Sequence, residues 1–199
     1  MYRTYILKES AQGISQISMD DMLLQDREIF LTDEVNAETA NEIMKQVMVL
    51  EKLDHTKEIV LYINSPGGEV QSGLALYDVL TFLKSPVRTV CTGCAASMGA
   101  ILFLAGEKRQ MLPHSSVMLH DPAYAVGNIS GQKPHEIQSQ VDKLMETREI
   151  IAKIIAEKTG KTMEEIYQVT REDSYFNAKE AVEFGLATEF LDRLPLYAA

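Results

Sequence analysis

The sequence predicts a single α/β domain built on a largely parallel sheet. Three observations carry that prediction. Nearly continuous β-branched runs recur, EIVLYIN at 58–64 foremost, as in strands buried on both faces. Between them lie segments whose apolar residues return every three or four positions, the stripe of an amphipathic helix. Strand and helix then alternate from residue 28 to 104, a spacing that implies right-handed crossovers between parallel strands.

Taken in order, EIFL at 28–31 reads as a short strand. From about Glu34 a helix follows, with Ala40, Ile43, Val47 and Leu50 on one stripe. After the strand at 58–64, SPGG makes a turn. Val70 to Leu83 is helical, with Leu74, Tyr77 and Leu80 on one side, and Pro86 closes it. VRTVC at 87–91 is the next strand and Ser97 to Leu104 the next helix. SVML at 116–119 is another strand, ending at His120-Asp121-Pro122. AYAVGNISGQ is neither periodic nor strongly polar, and its conformation stays open. Pro134 suits the first turn of a helix, which Ile137, Val141, Leu144, Ile151 and Ile154 carry to a stop at Gly160. Two capping boxes, Thr162 with Glu165 and Asn177 with Glu180, announce two more helices. Asp173 falls in the connection before the last of them.

Composition bounds the function classes. The 199 residues, 46% hydrophobic and 24% charged, suit one globular domain with a sizeable core. The longest apolar runs fall far short of the roughly 20 residues of a membrane-spanning helix, so no membrane role is expected. MYRTYILKES lacks the pattern of a secretory signal, and two cysteines argue against a disulfide-stapled fold, so the expected location is the cytoplasm. A formal net charge of −10 repels phosphate backbones, which makes nucleic acid a poor ligand. There is no internal repeat and no linker; residues 1–199 read as one domain.

CTGCAASMGA, at 91–100, offers two chemistries. Cys91 and Cys94 have the spacing of a redox dithiol or half a zinc site. No second C-x-x-C exists, however, and Cys91 closes an apolar strand, so two small residues in a tight strand-to-helix turn is the better reading. Ser97 falls at the first turn of a helix, where free N–H groups and the dipole favour an oxyanion. The plain alternative is an N-cap serine, and the pattern is not the G-x-S-x-G elbow. Ser65-Pro66-Gly67-Gly68 and His120 should end strands at the same sheet edge, the edge where ligands of open α/β sheets collect.

INSPGGEV, GCAASMGA, LPHSSVMLHDP and REDSYFNAKEAVEFGL together resemble the ClpP family, the proteolytic subunits of the Clp protease, from about residue 27 to 192. The resemblance implies a ClpP/crotonase-type fold of repeated ββα units with a handle helix, in the region of about 123–160, joining two stacked heptameric rings. It implies a serine endopeptidase with Ser97 as nucleophile, His120 as general base and Asp173 as the acid orienting the histidine. The N–H groups of Gly68 and Met98 would form the oxyanion hole. Unfolded polypeptides would be the substrates, delivered by a AAA+ unfoldase such as ClpX. No cofactor is implied on this chain, since ATP is used by the partner. Tyr62 and Phe82 match apolar positions where the ATPase docks, though both also suit a core.

The resemblance has departures. Asp121 stands where the family usually has glutamine, either competing with Asp173 for the imidazole or capping the Asp-Pro turn. AYAVGNIS is longer than the usual loop, AGEKRQMLP is shorter, and Arg171-Glu172 reverses the usual order at the ring junction. The N-terminal segment 1–26 also differs. Altered ring stacking is the expectation. Two other functions stay open: a CoA-ester enzyme of the crotonase fold, and a non-catalytic or conditionally active ring subunit paired with a paralogue.

Overall fold

A computed structural model of the chain describes residues 5–10, 13–123 and 131–191. Its elements are β1 (Tyr5–Ser10), β2 (Gly13–Ser18), α1 (Met19–Gln25), β3 (Glu28–Leu31), α2 (Ala37–Leu53), β4 (Ile59–Ser65) and α3 (Val70–Phe82). There follow β5 (Val87–Ala96), α4 (Met98–Leu104), β6 (Lys108–Met111), β7 (Ser116–Leu119), α5 (Pro134–Thr159), α6 (Met163–Thr170), β8 (Ser174–Asn177), α7 (Ala178–Phe184) and β9 (Glu189–Phe190).

The sheet is mostly parallel, as expected. β3, β4 and β5 pair in that order, and β4 lies between two partners, which is why its run of Ile, Val, Leu and Tyr is buried on both faces. α2 covers one face with the predicted stripe: its buried residues are Ala40, Ile43, Val47 and Leu50. Asn36 starts it by accepting the N–H groups of Glu38 and Thr39. α3 and α4 pack alongside, and all seven residues of α4 are buried. The main core runs from Ile29 to Ala187.

Two expectations are corrected in β5. The strand does not stop at Cys91 but runs on to Ala96, so Cys91 and Cys94 both lie within it rather than in a turn. Opposite its β4 edge, its length serves two further partners: Arg88 to Cys91 pair with β6, and Cys94 to Ala96 pair with β7. Small side chains suit the second half, where Gly93 lies so close to Asn64 that an added Cβ would stand 2.4 Å from its Oδ1. The connection holding Asp173 also contains a strand, β8, which pairs antiparallel with β7 before α7 begins.

The remaining helices start and stop where their caps predict. Thr162 and Asn177 both close capping boxes, and α5 ends at Gly160 in the left-handed conformation. Only Ile151, Ala152 and Ile155 of α5 are buried, while Val141, Met145 and Ile150 are exposed. The expectations for residues 124–130 lie outside the described residues. Among the described residues no helix is long and apolar enough to cross a membrane.

Candidate active site

Three strand ends meet at one edge of the sheet. Ser97 follows β5 directly, and its N–H donates to the Met118 carbonyl at 3.0 Å, which ties it to β7. Its backbone is turned to φ 52°, ψ −121°, a conformation that is sparse for any residue with a Cβ. Ser97 is therefore the N-cap position, one residue before the helical turn that the sequence suggested. Its side chain accepts no hydrogen bond from α4, so it is not an ordinary cap. The geometry is that of a nucleophile elbow, strand to sharp turn to helix. The sequence hid this because the closest small residue comes from elsewhere: a Cβ on Gly67 would stand 2.8 Å from the Ser97 Cβ and 2.9 Å from the Met98 nitrogen.

His120 leaves β7 one residue after Leu119, and its Nε2 lies 2.9 Å from Ser97 Oγ. Its Nδ1 stands 3.3 Å from Asp173 Oδ1, slightly beyond the usual N–H···O range. The β7–β8 ladder explains the second contact. Leu119 pairs with Ser174, and one further step in the same register sets His120 opposite Asp173. A proton on Nδ1 facing the carboxylate leaves Nε2 free to accept the serine O–H. The His120 side chain is 31% exposed and that of Asp173 62%, so this carboxylate is much the wetter of the two.

Gly68 and Met98 flank the serine. Val35 bridges Gly68 in parallel register, its N–H donating to the Gly67 carbonyl and its carbonyl accepting from Glu69. In such a bridge the central residue turns its own N–H to the opposite side. That edge has no acceptor for the Gly68 N–H among the described residues. Met98 is the first residue of α4, where an N–H has no intrahelical partner. Gly68 has φ 149°, and a Cβ there would collide with the Val35 carbonyl, so only glycine fits.

A small apolar cavity opens beside the serine. Val70, Met98, Ile101, Leu119 and Pro122 line it, with Ile151 and Ile155 of α5 as its far wall, and its free volume is about 20 Å³. That is room for about one water molecule.

Asp121 fills neither of its two expected roles. Its Oδ2 accepts from Arg148 Nε of α5 at 2.8 Å, and its Oδ1 accepts the Thr170 hydroxyl at 2.6 Å. The carboxylate is thus spent on two other elements, and neither the imidazole nor the Asp-Pro turn receives it. Arg148 and Thr170 went unnoticed in the sequence, because no short motif signals partners 27 and 49 residues away. The cysteines do not form a reactive pair. Both are free, Cys91 is buried, and burial pushes its thiol up to about 11, the reverse of what a dithiol catalyst needs. Among the described residues no three His, Cys, Asp or Glu side chains converge as a metal site would require. Of the two docking candidates, Tyr62 is buried and stacked on Phe30 at 4.7 Å, whereas Phe82 is 83% exposed.

A family model described as Clp protease matches residues 11–193, nearly the whole chain. The chain belongs to the Clp protease family. Membership implies a peptidase hydrolase acting on protein, with Clp ATPases as partners in general. It agrees with the mixed α/β architecture and mostly parallel sheet.

Proposed function

We propose that this Clp protease family member is a serine endopeptidase, the proteolytic subunit of an ATP-dependent protease. The observation that carries the reading is the 2.9 Å contact between Ser97 Oγ and His120 Nε2 on a strained strand-to-helix turn. Ser97 Oγ attacks a peptide carbonyl while His120 takes its proton as general base. Negative charge gathers on the carbonyl oxygen, which the Gly68 and Met98 N–H groups receive. Asp173 keeps the imidazole oriented and stabilises it once charged. The imidazolium then protonates the leaving amine, and water resolves the acyl-enzyme by the same route.

The substrate lies extended along the open edge beyond Gly68, opposite the side that Val35 occupies. The small apolar cavity lined by Met98, Ile101 and Leu119, with room for about one water molecule, admits no more than a methyl-sized group next to the cleaved bond. Rings of this chain enclose the sites, with the exposed Val141, Met145 and Ile150 of α5 covered between rings. Exposed Phe82 offers apolar surface to a AAA+ unfoldase such as ClpX.

One observation favours a second form of this reading, a conditionally active subunit. At 3.3 Å, and with Asp173 largely in water, the His120–Asp173 contact is slack in the single chain. Assembly with its own kind or a paralogue would draw it in. A fluorophosphonate probe tests the proposal. Labelling located at Ser97 and abolished by Ser97→Ala is the expected result. Thioester turnover that survives Ser97→Ala would point instead to a CoA-ester enzyme.

A further inference from the structure

His120 is gripped through its two chain neighbours. Leu119 pairs with Ser174 at the end of the β7–β8 ladder. Asp121 holds Thr170 twice: its N–H donates to the Thr170 carbonyl at 2.6 Å, and its Oδ1 accepts the Thr170 hydroxyl at 2.6 Å. Residues 171–173 therefore hang between two anchors, and both anchors lie on the chain segment that carries His120. The Ser174 hydroxyl donates to the Val169 carbonyl at 2.7 Å and tightens the same turn. Where Asp173 stands relative to His120 is set by this closed ring of contacts.

The ring is also attached to α5. Arg148, midway along α5, donates from Nε to Asp121 Oδ2 at 2.8 Å, and its guanidinium lies 4.1 Å from the centre of the Tyr167 ring on α6. Both partners are mostly shielded, with the Arg148 and Asp121 side chains 24% and 31% exposed, so the contact is stronger than a fully solvated pair. α5 also supplies Ile151 and Ile155 to the cavity beside Ser97. A shift of α5 thus reaches the site by two routes, one apolar and one through a charged clamp.

We propose that Asp121 and Arg148 are positioning residues that tie α5 and the end of α6 to the strand bearing His120, so that the placement of α5 sets the His120–Asp173 contact. This rests on the serine peptidase reading above. Both carboxylate oxygens of Asp121 are held by Arg148 and Thr170, so it acts through its neighbours. The clamp carries opposite charges at its two ends, which gives a diagnostic. Were the pair acting on His120 only through space, removing the anion and removing the cation would shift the acid limb of the pH–rate profile in opposite directions. A positioning role lowers turnover in both variants alike.

The test uses the full chain in its assembled form and a short fluorogenic peptide, with Asp121→Asn, Arg148→Met, their double variant and Thr170→Val. Thr170→Val keeps the charge pair and removes only the hydroxyl, so it decides the matter if the charge variants fail to fold. Expected is a fall in kcat of about tenfold in Asp121→Asn and Arg148→Met, with KM within about twofold. The double variant should be no slower than the worse single one, because both break one linkage. Wild-type kcat in any folded clamp variant, Thr170→Val included, would overturn the proposal, as would opposite shifts of the acid limb without loss of kcat. Ser97→Ala is measured in parallel. If that variant stays active, the peptidase reading itself has failed; if it is inactive while the clamp variants are normal, only the clamp has.

Discussion

Replacing Gly67 by alanine should damage the site far more than a comparable change at another left-handed glycine. Gly67 has φ 91°, and the added Cβ would stand 2.5 Å from the Ala96 carbonyl oxygen, 2.8 Å from the Ser97 Cβ and 2.9 Å from the Met98 nitrogen. None of these atoms is the far end of a flexible chain. Bringing the first contact out to an ordinary 3.4 Å means opening the gap by 3.4 − 2.5 = 0.9 Å between the SPGG turn and the serine elbow. The backbone conformation alone costs about 1–2 kcal/mol for a residue with a Cβ. On the proposed mechanism, a displacement near 1 Å between nucleophile and oxyanion donors costs about 100-fold in rate. Gly160 supplies the control. It has φ 73° at the end of α5, but nothing lies within 4 Å of an added Cβ. Gly160→Ala should lose about 1 kcal/mol of stability and no activity. The assay is kcat/KM on a short fluorogenic peptide, with thermal melts of both variants. If Gly67→Ala folds and cleaves like Gly160→Ala, the turn and the elbow are not packed as described, and the argument that glycine is needed there fails.

Other outcomes follow from burial. An alkylating reagent at mildly alkaline pH should modify Cys94 well before Cys91, whose buried thiol ionises only near about 11; mass spectrometry of the peptides reads this, and rapid Cys91 modification in folded protein would contradict it. Peptidase activity should persist in the Cys94→Ser variant, since this thiol has no part in the mechanism. Burial, reinforced by the Glu28 carboxylate that accepts its hydroxyl at 3.1 Å, pushes Tyr62 up to about 12 from an ordinary value of 10.0. The folded state holds that proton longer than the unfolded one, so the stability it contributes is complete below about pH 10 and is lost as pH rises through about 12. Denaturant unfolding of Tyr62→Phe should therefore show a smaller loss of stability than wild type across that window; an identical slope would refute the linkage.

Much of the fold was legible because burial imprints a period. The α2 stripe of Ala40, Ile43, Val47 and Leu50 and the unbroken run of β4 each reflect one element against one core. What escaped was structure whose residues carry no period. The second half of β5, TGCAA, is small rather than apolar because Asn64 and β7 press against it, and KRQM of β6 has three polar residues, of which Lys108 is exposed, Arg109 half-buried and Gln110 buried. β8 is only four residues long and owes its existence to β7. The site divides in the same way. Ser97, Gly68 and His120 each follow a strand whose apolar part could be read locally, and the sheet edge assembles them. Asp173 could be reached only through the family likeness, since nothing local singles it out among the 29 acidic residues. Its place depends on the β7–β8 register, a pairing across 55 residues of chain between Leu119 and Ser174. The Asp121 clamp is less visible still, because its meaning lies entirely in Arg148 and Thr170.

The most direct measurement is peptide cleavage by purified Ser97→Ala beside wild type, with folding and assembly checked on the same samples. On the proposed mechanism the hydroxyl held 2.9 Å from the imidazole is the attacking group, so its removal should lower kcat/KM by several orders of magnitude while leaving the melting transition in place. Cleavage at the wild-type rate by the alanine variant would contradict the account at its centre.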